Sequence, residues 1–333
     1  MFDKHKNVSI KKFRIPNKLL NLCFWYFGWP HVDKMIGGVD IFFMPNINFI
    51  GLSKETKLLL TIHDLSFEMY PEFFSVKRRL WHSLINPRKL CRRADHIIAV
   101  SDSTRQDIIS KYCVKPGKVT RIYNGVPDVF VSMDRNDKSL LEIKDKYHLP
   151  FSFILFLGTV EPRKNIIAVS RAFNELKKLN NTEISRCKLV IAGAKGWKTK
   201  EIFSELRGAE FTKDIIYTNR VSNEDKAAVY NLSSVFVYPS FFEGFGLPPL
   251  EAMKCGVPVI SSNNSSLPEV VGEAGIMVDA DKPDELFQAL KSVMLDRQLA
   301  GTLSQRGPQR ALLFSWRSAA RDFLDVVRSM NGC

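Results

Sequence analysis

Two glutamates with seven residues between them, Glu243 and Glu251, bracket the segment Gly244-Phe-Gly-Leu-Pro-Pro-Leu250. The run before them, residues 234–239, is apolar and reads as a short buried strand. The run from 250 to 255 reads as the opening of a helix that stops at Gly256. A strand, a glycine turn and a helix start together make an anion site, because the first N–H groups of a helix have no intrahelical acceptor. On this reading Glu243 lies in the turn and Glu251 in the first helical turn, both facing a ligand that carries hydroxyls as well as phosphates. The competing reading is structural: acidic residues are favourable at a helix start.

A pair of cations offers the complementary charge. Gly158-Thr-Val-Glu-Pro-Arg163-Lys164-Asn165 follows the apolar run 153–157. Arg163 and Lys164 then project at the carboxyl end of a strand, where ligands of open α/β sheets bind; the alternative is an exposed basic turn. Thr61-Ile-His63-Asp64 closes another strand. Taken alone, a strand-end histidine such as His63 is more often structural than functional.

The elements that must position these groups alternate along the chain. Strand-like runs at 39–44, 57–62, 96–100 and 118–123 precede a polar stretch at 131–148 that reads as a link and a leading helix. A second series follows at 153–157, 188–192, 214–217, 235–238 and 257–260. Strands separated by helical runs predict parallel sheets in an α/β protein. Residues 315–327 have helical apolar spacing. Ser103 and Gln106 have the spacing of a capping box.

Composition bounds the rest. The chain has 333 residues, 45% hydrophobic and 25% charged, enough for two cores. Six scattered cysteines, with no Cys-x-x-Cys pair, read as reduced thiols of an intracellular protein. The six histidines show no metal-ligand spacing, so no metal is expected. Charge is uneven: residues 1–150 hold 25 Lys and Arg against 15 Asp and Glu, and residues 151–333 hold 23 against 20. A basic first half suits anionic lipid or a diphosphate-bearing substrate, or is simply a solvated face; no recognition motif supports nucleic acid. The aromatic run 19–29 is too short to span a bilayer, which needs roughly 20 residues. Placed after Lys11, Lys12, Arg14 and Lys18, it suits a membrane interface or a packed element of the first domain.

With its flanks, the Glu243–Glu251 pattern resembles the Glu-x7-Glu motif of retaining nucleotide-sugar glycosyltransferases of family 4 (group 1). Those flanks are Pro239-Ser240 before it, and Gly256-Val-Pro-Val-Ile-Ser261 and Leu267-Pro-Glu269-Val-Val-Gly-Glu-Ala-Gly275 after it. The resemblance runs from about Asp40 to the C-terminus. It implies the GT-B fold, two Rossmann-like parallel-sheet domains facing a cleft. The domains fall at 1–148 and 149–311, with 312–333 a helix crossing back to the first. Residues 1–38 lack the strand and glycine-rich loop with which family members begin, so the first domain reads as incomplete at its N-terminus, with activity at risk.

The resemblance also assigns roles. Glu251 takes the ribose hydroxyls and Glu243 the hydroxyls of the transferred sugar. Arg163 and Lys164 meet the diphosphate, although Thr159 stands where many members carry arginine. Backbone N–H groups of Phe245, Gly246 and Leu247 line the ligand, with Gly244 and Gly246 allowing its close approach. His63 faces the donor sugar, with Asp64 to orient it; Asn124-Gly125-Val126 forms a turn lining the cleft. The implied reaction moves a hexose, with retention, to a hydroxyl of a growing glycan or lipid-linked oligosaccharide. It uses no metal or other cofactor. The motif 158–165 looks like that of bacterial polysaccharide mannosyltransferases, which favours GDP-mannose over a UDP-sugar. The basic segment 77–93 lies beside the acceptor cleft in the family's plan. The implied location is cytoplasmic, peripheral on the inner membrane face. A non-catalytic nucleotide-sugar or glycan-binding protein on this fold is the alternative from another class; an epimerase would act without an acceptor.

Overall fold

The computed structural model describes residues 7–179 and 181–332; the first six residues of the stretch expected to lack a strand-loop-helix unit lie outside them. Among the described residues ten strands form two sheets, and every pairing between them is parallel. The first sheet holds β1 (Ile41–Met44), β2 (Lys57–Ile62), β3 (His96–Ala99) and β4 (Val119–Arg121) in chain order. The second holds β5 (Phe153–Leu157), β6 (Lys188–Ala192), β7 (Ile215–Asn219), β8 (Val235–Tyr238), β9 (Val259–Ser262) and β10 (Ile276–Val278), in the order β10-β9-β8-β5-β6-β7. The reversal between β8, β5 and β6 is the switch point at which the loops after β5 and β8 diverge, opening a crevice.

The strands are near-continuous apolar runs because both sheet faces are covered. All five residues of β5 are buried, as are Leu58, Leu59, Leu60 and Ile62 of β2. Leu140 and Leu149 are buried in the second core, so helix Lys138–Lys146 packs with the second domain, where Lys146 pairs with Asp225 at 2.7 Å.

The closing helix, Trp316–Asn331, returns to the first sheet. Ala319, Phe323, Val326 and Val327 pack on Leu59, Ile98 and Ile122, and the Lys57 ammonium donates to the Met330 carbonyl at 2.5 Å. Gly125 explains the path: a Cβ there would lie 2.1 Å from the Trp316 nitrogen. The 124–126 turn therefore seats the start of this helix. The capping-box frame shifts as well. Helix Asp102–Tyr112 is capped by Ser101, whose hydroxyl accepts from the Thr104 N–H at 3.0 Å.

Among the described residues no strand precedes β1. Helix Asn17–Phe27 stands there instead, with Trp25, Tyr26 and Phe27 exposed. No helix among the described residues is long and apolar enough to cross a membrane.

Candidate active site

The carboxyl ends of β5 and β8 bring Arg163, Lys164 and Glu243 into one buried network. After β5 the chain makes a tight 3-10 turn, Pro162–Lys164, and leaves it through Asn165 at φ 56°, a left-handed conformation asparagine tolerates. The Asn165 amide donates to the Ala280 carbonyl at 2.8 Å, which fixes the turn. Arg163 reaches Glu161 through Nε and Nη2 at 3.1 and 2.8 Å, and Glu243 Oε2 through Nη1 at 3.1 Å. Nη1 also donates to the Phe242 carbonyl at 2.6 Å. The Lys164 ammonium donates to Glu243 Oε1 and to the Tyr238 hydroxyl, both at 2.5 Å. Ser240 donates to Glu243 Oε1 at 2.6 Å.

Charge follows from this geometry. Burial alone would raise the Glu243 carboxyl, but Arg163 and Lys164 overcome it and hold it down at about 2. Burial pushes the Lys164 ammonium down, with Glu243 opposing. Arg163 and Lys164 both face the Glu243 carboxylate. Both cations are thus neutralised from within, and a bound polyanion would compete with Glu243 and Glu161 for them.

Glu251 stands apart. The helix begins at Leu247, three residues earlier than the spacing predicts, with Pro248 and Pro249 in its first turn and Gly246 before it at φ 105°. Glu251 therefore occupies the second turn and not the first. Its Oε2 accepts from the Tyr230 hydroxyl at 2.9 Å, and its Oε1 has no partner among the described residues. Burial raises its carboxyl above the ordinary range, with Lys226 and Tyr230 opposing. Among the described residues, no protein acceptor meets the N–H groups of Phe245, Gly246 and Leu247. The Phe245 ring itself is buried near Tyr123 and Phe314.

Both turn glycines lie against protein. A Cβ on Gly244 would lie 1.8 Å from the His63 carbonyl oxygen, and one on Gly246 would lie 2.7 Å from Leu267 Cδ2. Gly244 thus lets the loop after β8 touch the end of β2 across the cleft. His63 is exposed there, with Nε2 2.9 Å from the Pro45 carbonyl. The expected help from Asp64 is corrected: its Oδ1 accepts from the Ser66 N–H and hydroxyl, starting the next turn.

Groups that sequence reasoning left without a role hold the two domains together. Glu269, of the second domain, accepts the Asp102 and Ser103 N–H groups at 2.8 and 3.0 Å, and the Tyr123 hydroxyl at 3.0 Å. An acidic side chain from one domain thereby caps a helix of the other, where the helix dipole favours it. The Thr104 hydroxyl lies 3.2 Å from the Gly244 carbonyl and 3.4 Å from that of His63. Only the flanking motif carried a signal, because the contacts that cross between the domains join residues more than a hundred positions apart. Among the described residues no cluster of three or more His, Cys, Asp or Glu side chains could hold a metal ion.

Two parallel-sheet domains, joined by a returning helix and presenting opposed strand ends to a cleft, are the GT-B architecture of glycosyltransferases. The chain belongs to the group 1, family 4 glycosyltransferases. Residues 142–310 match the family model "Glycosyl transferases group 1", and residues 6–129 match "Glycosyltransferase Family 4". The O-antigen chain mannosyltransferase B of Escherichia coli is 30% identical over 287 residues, covering 84% of this chain and 72% of that protein. The serotype-specific mannosyltransferase WbdA of Escherichia coli is 34% identical over 232 residues, covering 68% of this chain but only 28% of WbdA. Among solved structures, Anabaena Alr3699/HepE in complex with UDP and glucose aligns with a TM-score of 0.70 at 16% identity, over 90% of this chain and 80% of that one.

Proposed function

We propose that this protein transfers mannose from GDP-mannose, with retention, to a hydroxyl of a growing glycan or lipid-linked oligosaccharide. The observation that carries the reading is the Arg163–Lys164–Glu243 network beside the free N–H groups at 245–247, across the cleft from His63. The mannosyltransferase names of the relatives support the sugar.

On binding, the diphosphate draws Arg163 and Lys164 from Glu243, and the freed carboxylate accepts hydroxyls of the sugar. The cations and the helix start then stabilise charge building on the leaving diphosphate, a preorganised electrostatic role. His63 reaches the sugar from the opposite wall. The acceptor hydroxyl attacks the face that the diphosphate leaves, and its proton passes to the departing phosphate oxygen. Glu251 Oε1 accepts the ribose hydroxyls while Tyr230 holds Oε2.

Thermal unfolding against GDP, UDP and ADP tests the donor. GDP at about 100 times its dissociation constant should add about 2.7 kcal/mol. A shift with UDP alone would overturn the base, and no shift with any nucleotide would overturn the site.

Glu251 adds a pH signature. Burial raises its carboxyl above that of an ordinary glutamate, and the ionised form is the stronger acceptor of hydroxyls. Affinity for GDP should therefore fall with decreasing pH sooner than an ordinary glutamate would dictate. Glu251→Gln should bind more weakly at neutral pH and lose that dependence; a wild-type profile flat down to pH 4 would refute the role.

The exposed Trp25, Tyr26, Phe27 and the cations near them suit peripheral contact with an anionic membrane. Co-sedimentation with phosphatidylglycerol vesicles but not phosphatidylcholine vesicles is the expected result; equal recovery with both would remove the electrostatic part.

A further inference from the structure

The first domain carries a cluster that the reaction above does not use. Helices Val76–Ile85 and Pro87–Arg93, the end of helix Asp102–Tyr112 and the short helix Ser66–Met69 enclose a cavity of about 440 Å³. Three cations line it, Arg79, Arg88 and Lys111, and among the described residues none has a carboxylate within ion-pair distance. The carboxylate in the wall, Glu68, is already engaged: its Oε1 accepts the Tyr112 hydroxyl at 2.6 Å. His82 completes the wall. Its ring lies flat on Phe67, centroids 4.1 Å apart and 3° from parallel, and its Nδ1 is buried with no hydrogen-bond partner.

Cations converging on a concave wall raise the local concentration of anions. Arginine forks also match phosphate oxygens better than they match water. An unanswered imidazole nitrogen beside them adds a further polar group to the same wall.

The cavity connects to the reaction centre through helix Asp102–Tyr112. Thr104, near the start of that helix, meets the Gly244 carbonyl, while Lys111, near its end, lines the cavity. At 1.5 Å rise per residue these positions are about 10 Å apart along the axis.

We propose that this cavity binds the phosphate or diphosphate of the acceptor. The identity of the bound group as acceptor rests on the transferase reading above; the binding itself does not.

Inorganic pyrophosphate is the probe, added to the full chain with and without saturating GDP, and the His82 ring resonances are the readout. Pyrophosphate should shift those resonances under both conditions. Arg79→Gln combined with Arg88→Gln should weaken that response at least tenfold while leaving GDP affinity unchanged. Farnesyl diphosphate identifies the source: tighter binding than pyrophosphate supports a lipid-linked phosphate, and equal binding supports a phosphate on the glycan. A His82 response that GDP abolishes, that the double variant retains, or that never occurs would overturn the proposal. GDP affinity in the same samples tests the donor reading separately, so a protein that fails to bind GDP but responds at His82 sinks only that reading.

Discussion

Glutamine at position 243 should destabilise the protein by about 3–5 kcal/mol and abolish measurable transfer, the stability cost being that of stranding a buried charge. The side chain keeps its shape but loses its charge, leaving Lys164 and half of Arg163's pairing uncompensated in a buried site. Urea unfolding reads the first effect, and sugar transfer or donor hydrolysis the second. Because both follow from one change, a second variant separates them. Glu243→Gln with Lys164→Met removes the stranded cation and should recover most of the stability, since buried pairs are often replaceable by apolar groups. Transfer should stay absent, because the sugar's acceptor and a phosphate cation are both gone. Recovery of transfer in the double variant would show that neither group takes part. The pH dependence carries the same sign. Glu243 is depressed in the fold, so its contribution is complete above the ordinary 4.5 and is lost as pH falls toward about 2. The single variant should lack that acid-range component.

Alanine at position 244 should lower transfer about 100-fold, the scale expected when catalytic groups are displaced by an ångström. The added methyl would overlap the His63 carbonyl oxygen at 1.8 Å and press on Asp64 Cβ at 2.8 Å. Both obstacles belong to the opposing domain, and one is backbone. The fold of each domain has no reason to change, so the relief is separation of the loop after β8 from the end of β2. Small-angle scattering should report a larger radius of gyration, with nucleotide affinity changed far less than turnover. Glu269→Gln should move the same observables less, because it weakens a helix cap without inserting an atom; N-cap losses typically run 0.5–2 kcal/mol. Native turnover and an unchanged radius in Gly244→Ala would mean that the two walls do not close on one another during the reaction.

The alternation of apolar and polar runs made the two parallel sheets legible, because strands buried on both faces must be apolar throughout. The cations Arg163 and Lys164 and the glutamates 243 and 251 were legible for a related reason: strand ends and helix starts are where an open α/β protein exposes backbone donors, and the flanking residues mark those ends. Less legible were distances between segments far apart in sequence. Nothing local to Gly244 says that its missing side chain makes room for His63.

The sequence by itself determined the two parallel α/β sheets, the strand ends at which chemistry is possible and the charged groups near them, since these follow from local pattern and chain order. Only the tertiary structure decided how those groups are spent. It turned Arg163 and Lys164 inward onto Glu243, placed Glu251 a turn deeper with Tyr230, and made Glu269 a bridge between domains. The physical reason is that a buried charge must find its partner wherever packing brings one, and packing is set by the whole chain at once.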